Sequence, residues 1–122
     1  MTLAAGYSDR KAPSAGSPHA VNGVTAPAGT VAVNANKGDL HVITMTGNIS
    51  SSSITNPTVG QIITLEWLQD GTGTRTYVWP ANCKFAGGAA PAASTLANYS
   101  DSVTFRYDGT NWREISRAVA VR

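Results

Sequence analysis

The second half of the chain carries the same local pattern twice, and that pattern limits the possible folds more than any other feature. Gln61–Gln69 is rich in β-branched and aromatic residues, stops at Asp70-Gly71, and is followed by Thr74–Pro80. Ser102–Tyr107 stops at Asp108-Gly109 and is followed by Asn111–Ile115. An Asp-Gly pair between two runs of strand-forming residues is the strongest short-range hairpin signal. Each passage is therefore expected to be a strand-turn-strand unit. In the second, a two-residue turn sets Tyr107 opposite Thr110 and Phe105 opposite Trp112. A four-residue loop would instead place Arg106 opposite Arg113, a like-charge pair that costs stability. The tight turn is the expectation, with Gly109 at positive φ.

Elsewhere the periodicity is also two. Thr30–Asn34 is a short candidate strand, Asp39–Thr46 a stronger one, and Ile49–Thr55 a serine-rich strand or loop. In Gln61–Gln69 one face carries Ile63, Leu65 and Trp67, the other Ile62, Thr64, Glu66 and Leu68. Both faces are largely apolar, so this strand is expected to be covered on both sides. Phe85–Thr95 is a long run of small residues and reads as a crossover. No helical period of useful length appears. The expected fold is all-β, an antiparallel β-sandwich of jelly-roll type, with Ile63, Leu65, Trp67, Val103, Phe105 and Trp112 in its core. Residues 1–29, rich in Ala, Gly, Ser and Thr and broken by Pro13, Pro18 and Pro27, read as an extended N-terminal arm, and residues 30–122 as the sandwich domain. The arm is expected to lie in grooves of neighbouring subunits and to serve as an anchor.

At 122 residues the chain suits one domain. Charged residues make up 13%, against a usual share of about a quarter, and Ala, Gly, Ser, Thr and Asn take their place. Such a surface suits packing against other protein. A net charge of +2 without a basic stripe argues against nucleic-acid binding. No stretch has the length of a membrane helix, and no signal-peptide h-region is visible, so the chain is expected to be made in a cytoplasm and not exported by a recognisable route. Cys83 is the only cysteine. It cannot form an intrachain disulfide and is expected to be a small buried hydrophobe, with an intermolecular bridge or reactive thiol as the sharper alternative.

The titratable residues do not assemble into a catalytic or metal-binding pattern. His19 and His41 lack a second ligand at metal spacing. Glu66 and Glu114 sit in strands as surface charges. Asp70, Asp101 and Asp108 could be paired by folding as a glycosidase dyad, yet two of them occupy turn positions that favour Asp for backbone reasons. Asp70-Gly71-Thr72-Gly73 is too short for a phosphate loop. Trp67, Trp79, Trp112, Tyr77, Tyr99 and Tyr107 could stack on sugars, but at strand period they read chiefly as core. No catalytic, cofactor-binding or metal-binding residue is assigned, and no enzyme activity is expected.

The run Gly60-Gln61, Leu65, Gln69-Asp70-Gly71-Thr72-Gly73, Trp79-Pro80, Lys84, Asp101, Phe105, Tyr107-Asp108-Gly109 and Trp112 resembles a β-domain of bacteriophage virion proteins. That domain occurs at the ends of tail fibres and in small structural proteins on phage heads. The resemblance spans about Gly38 to Ser116. It implies a trimeric or lattice-bound binding module without catalytic residues or cofactors. A short arm in place of a long shaft favours a capsid decoration, or cement, protein. Its implied partners are the major capsid protein and copies of itself as a homotrimer, and its implied location is the virion, assembled in the host cytoplasm. The alternative is a tail-fibre or tail-tip module that recognises a host glycan or protein.

Overall fold

The computed structural model describes residues 20–122. It is all-β, with a curled, mixed sheet of six strands and a second sheet of two. The strands are β1 Val21–Ala26, β2 Gly29–Asn34, β3 Leu40–Met45, β4 Ile49–Thr55, β5 Ile62–Gln69, β6 Cys83–Lys84, β7 Ser100–Tyr107 and β8 Trp112–Val121. Single 3-10 turns occupy Ala35–Lys37 and Ala86–Gly88. The larger sheet runs β1-β3-β5-β7-β8-β6, and β2 pairs with β4 in the smaller.

The first half of the chain winds. β1 lies in the larger sheet and β2 in the smaller; β3 then returns beside β1, β4 beside β2, and β5 beside β3. Strands laid down this way are parallel, and β1–β3, β3–β5 and β2–β4 all are. Parallel neighbours cannot be joined by a tight hairpin, so each connection passes through the other sheet. Successive turns touch at their corners, where glycine is required. A Cβ on Gly38 would stand 2.5 Å from the Ala20 carbonyl oxygen, and one on Gly47 would stand 2.6 Å from the Ala28 nitrogen.

Four of the six strand pairings are parallel, β6–β8 included, and only β5–β7 and β7–β8 are antiparallel. The expected antiparallel topology is thus corrected. Period-two patterning marks strands but carries no sign of direction. Within the expected arm of residues 1–29, Val21–Ala26 form a strand that pairs along its whole length with Leu40–Met45. Residues 1–19 of it lie outside the described residues.

All six expected core residues are buried, joined by Val31, Val33, Ile43, Met45 and Ile49 from both sheets. β5 is covered on one face only: Ile63, Leu65 and Trp67 are buried, while Ile62 is exposed and Thr64, Glu66 and Leu68 are half-buried. The first Asp-Gly passage is not a hairpin. After β5 the chain turns through Asp70 and runs without regular strand structure beside β4, where the Ile49 N–H donates to the Thr76 carbonyl at 2.8 Å. The second passage is a hairpin with the four-residue loop Asp108–Asn111. Tyr107 faces Trp112, Phe105 faces Glu114 and Arg106 faces Arg113. Asp108 removes the expected electrostatic objection, since its carboxylate meets Arg113 Nε at 2.6 Å. Gly109 has φ +104. The long connection after β6 lacks regular strands, as expected of Phe85–Thr95.

Candidate interaction surface

The two Asp-Gly passages share a construction that extends past the turn. Asp70 Oδ1 accepts the N–H groups of Thr72 (3.1 Å) and Gly73 (3.0 Å), and its carboxylate pairs with Arg75 at 2.8 Å. Asp108 Oδ1 accepts those of Thr110 (2.8 Å) and Asn111 (2.7 Å), and its carboxylate pairs with Arg113. The repeated unit is Asp-Gly-Thr-x-x-Arg. The hydrogen bond from Arg75 holds the Asp70 carboxyl at about 2, and the Asn111 and Thr110 amides, followed by Arg113, do the same for Asp108. Acids this low are poor proton donors near neutral pH; both act as loop braces. An arginine five positions after each aspartate was the available signal, and the hairpin pattern overshadowed it.

The third aspartate is different. Asp101 is buried and accepts from Tyr77 Oη (2.6 Å), Ser94 N (2.7 Å), Ser94 Oγ (2.6 Å) and Ala120 N (2.9 Å). Burial works to raise its pKa, but these donors outweigh that and the net shift is downward. Burial, then the hydrogen bond to Asp101, pushes the Tyr77 phenol far up. The carboxylate therefore joins three segments that carry no common strand: the aromatic run, the crossover and the end of β8. Gln69 does similar work nearby. Its amide donates to the carbonyls of Arg75 (2.8 Å) and Ser94 (2.9 Å) and accepts from Arg75 N (3.0 Å).

His41, expected on a strand face, is fully buried. Nδ1 accepts from Asn22 Nδ2 at 3.0 Å, and Nε2 donates to the Gly38 carbonyl at 2.9 Å. Desolvation lowers its pKa below the usual histidine value, so the ring is neutral and ties β1 to β3. Glu66 lies on the half-covered face of β5, while Glu114 pairs with Arg117 at 2.7 Å. Cys83 is buried, and desolvation pushes its thiol up to about 12, the opposite of an activated nucleophile. Trp67, Tyr77 and Trp79 form a cluster in which Trp67 stacks on Tyr77 at 4.8 Å and stands edge-on to Trp79 at 6.0 Å. Trp67 and Trp112 are core, and Tyr99 lies under Arg122. His19 lies outside the described residues. Among the described residues, no three His, Cys, Asp or Glu side chains could share a metal ion, and no helix is long and apolar enough to cross a membrane.

What remains is a surface. The strand registers align the outer face of the larger sheet in rows across five strands. One row is Val21, Leu40, Thr64, Thr104 and Ser116; the next is Gly23, Val42, Glu66, Ser102 and Ala118. Thr64 and Thr104 bond through their hydroxyls at 2.8 Å. Glu66 is the only charge in these two rows, and Arg106 and Arg113 stand beside Ile62 at one end. Val21 is 62% and Ile62 51% exposed. A broad sheet face made of Val, Leu, Thr and Ser costs little to desolvate, because few of its groups are ionised. No protein-family model, no curated protein and no solved structure matches the chain.

Proposed function

We infer that the protein is a structural component of a bacteriophage virion. It acts as a capsid decoration protein that binds the outer surface of the shell, contacts the major capsid protein and copies of itself, and braces neighbouring subunits. The outer face of the larger sheet carries this reading. Its two rows of mainly Val, Leu, Thr and Ser carry one carboxylate, Glu66, and suit close contact with another protein surface. The two sheets around one core are taken as a sandwich-like body, and the resemblance, over about Gly38 to Ser116, to virion β-domains points to the same setting. The mechanism is binding. Area removed from water contributes about 25 cal/mol per Å2 of apolar surface, and contact with two subunits at once opposes their separation.

The test uses purified shells lacking the protein. The full chain should co-sediment with them. Val42→Lys and Ile62→Lys, which place ammonium groups on the outer face, should abolish co-sedimentation while leaving the circular dichroism spectrum unchanged. Undiminished binding by both variants would exclude the sheet face as the contact. Binding to purified tails and not to shells would favour the tail-tip alternative.

A further inference from the structure

The outer face of the larger sheet ends in a row of cations. Ile62 pairs with Arg106, Arg106 with Arg113, and Arg113 with Lys84, so that one row crosses β5, β7, β8 and β6. Alternation sets all four outward, because their neighbours Ile63, Phe105, Trp112 and Cys83 are buried. Lys84, Arg106 and Arg113 are exposed. They are scattered along the sequence and meet only through the strand registers. Neighbouring strands lie about 4.8 Å apart, so the three cations share a line of about 10 Å.

Such a row works against the fold, since like charges directly opposite one another on a sheet are destabilising. Asp108 offsets Arg113 at 2.6 Å. Among the described residues, the charged groups of Arg106 and Lys84 have neither an ion pair nor a hydrogen-bond partner. Glu66, on the same face, stands four residues from Ile62, about 13 Å along the strand. Three cations against one carboxylate leave an excess of two, which equals the net charge of the whole chain. An anion from outside would relieve the repulsion. The row is too short to track a nucleic-acid backbone, where a binder makes about 6–10 phosphate contacts, and the two neighbouring rows add no cation. It fits the charged rim of a protein contact. Carboxylates one helical turn apart stand about 5–6 Å from each other, close to the spacing of the cations. Successive outward residues of a strand, about 7 Å apart, match it less well.

We propose that Lys84, Arg113 and Arg106 form a docking site for an acidic helix of a protein partner, with carboxylates one turn apart set against the row. The inference goes beyond the virion reading: it fixes the chemistry of the partner and stands whether or not that partner belongs to a shell. In the free protein the row costs stability, and the partner's carboxylates remove that cost on binding.

The full chain tests this without any particle, by fluorescence anisotropy. A labelled helical peptide with glutamate at every fourth position should bind at low salt and be released as salt is added, while its glutamine counterpart should not bind. Arg106→Gln should weaken binding at least about fivefold, as expected of a charge that faces the partner, and Lys84→Gln with Arg106→Gln should abolish it. Arg122→Gln removes one charge at the opposite end of β7 and β8, where Arg122 meets Tyr99, and should change binding less than about twofold. Arg106→Gln should also raise the thermal midpoint of the free protein, because it removes one member of the opposed pair. Equal weakening by Arg122→Gln would reduce the effect to net charge and overturn the proposal, as would failure of the parent chain to bind the glutamate peptide. A lower midpoint for Arg106→Gln would make Arg106 a structural residue and overturn it too. A single-stranded oligonucleotide bound more tightly than the peptide, and lost with the same variants, would overturn it in favour of nucleic acid.

Discussion

Trp112 is the largest side chain on β8 and is completely buried, packed against Tyr107 at 4.8 Å between ring centroids. Its replacement by Ala should cost about 3–5 kcal/mol through the cavity left behind. Its indole N–H has no hydrogen-bond partner among the described residues, so Trp112→Phe should cost distinctly less, since it removes volume without removing a bond. Urea denaturation of both variants checks the ordering, and a loss under about 1 kcal/mol for the alanine variant would place Trp112 outside the core. Two buried titratable residues contribute to the pH dependence. The folded-state pKa of His41 is depressed below 6.5, so below that pH the unfolded chain takes a proton that the folded chain refuses. Stability should fall there until the folded pKa is reached. Asp101 is likewise depressed from 3.8, so its contribution is present above that pH and is lost as pH falls toward the folded value. The unfolding midpoint should therefore drop in two stages. His41→Gln should flatten the upper stage, and Asp101→Asn should reduce the lower one, which Asp70, Asp108 and Glu114 share; if neither variant changes the profile, the two residues are not among the groups that titrate. The buried positions of Ile63, Leu65, Trp67, Val103, Phe105 and Trp112 were legible because alternation alone reveals them. The role of Asp101 was not, because its partners lie 7, 19 and 24 residues away in segments with no shared pattern.

At the scale of elements, the hairpin β7–β8 and the loop after β5 are built on one device. The aspartate side chain ties down two amides, and an arginine five residues later ties down the aspartate. In β7–β8 this arrangement allows Arg106 and Arg113 to face each other. Asp108→Asn should keep the turn but remove the charge that offsets the pair. The variant should be less stable than the parent at low salt and should recover part of the loss as salt screens the two guanidiniums. A salt-independent loss would show that the amide bonds alone matter. Gly109, at φ +104, is a second requirement. A β-branched residue at that φ is strained, so Gly109→Val should destabilise by about 1–3 kcal/mol, read from the thermal midpoint. The Asp-Gly turns were legible as turns. That only one of them makes a hairpin was not, because the difference lies in Gln69, whose amide holds Arg75 and Ser94 and sends the chain toward β4. Strand direction was equally hidden. The winding is hidden because its turns differ in length, 19 residues from β1 to β3 and 20 to 21 from β2 to β4, and share little sequence: β2 is Gly-Thr-Val-Ala-Val-Asn, whereas β4 contains four consecutive serines.

At the scale of the whole molecule, the balance of surfaces favours association. Two rows of the outer face of the larger sheet carry a single charge, Glu66. β8 adds a second exposed region, because only Trp112 and Arg113 of its ten residues pair with β6, and Ile115, Val119 and Val121 are all exposed. An edge of this length is a template for further pairing unless something covers it. Arg117 partly protects it by bonding Glu114 and reaching the Ala89 carbonyl at 3.0 Å, but this guards the middle of the strand and leaves its end. Closed symmetry would remove both the open edge and the apolar face from water, and the resemblance to virion β-domains implies a threefold. The purified chain is therefore expected to be a trimer by multi-angle light scattering. Val119→Lys should shift it toward monomer, because an ammonium at an edge opposes strand pairing, without lowering the unfolding temperature of the monomer. If instead Val119→Lys leaves the mass unchanged while Val42→Lys reduces it, the sheet face and not the β8 edge is the contact between copies. A parent chain that stays monomeric at high concentration and on the particle would exclude self-assembly altogether.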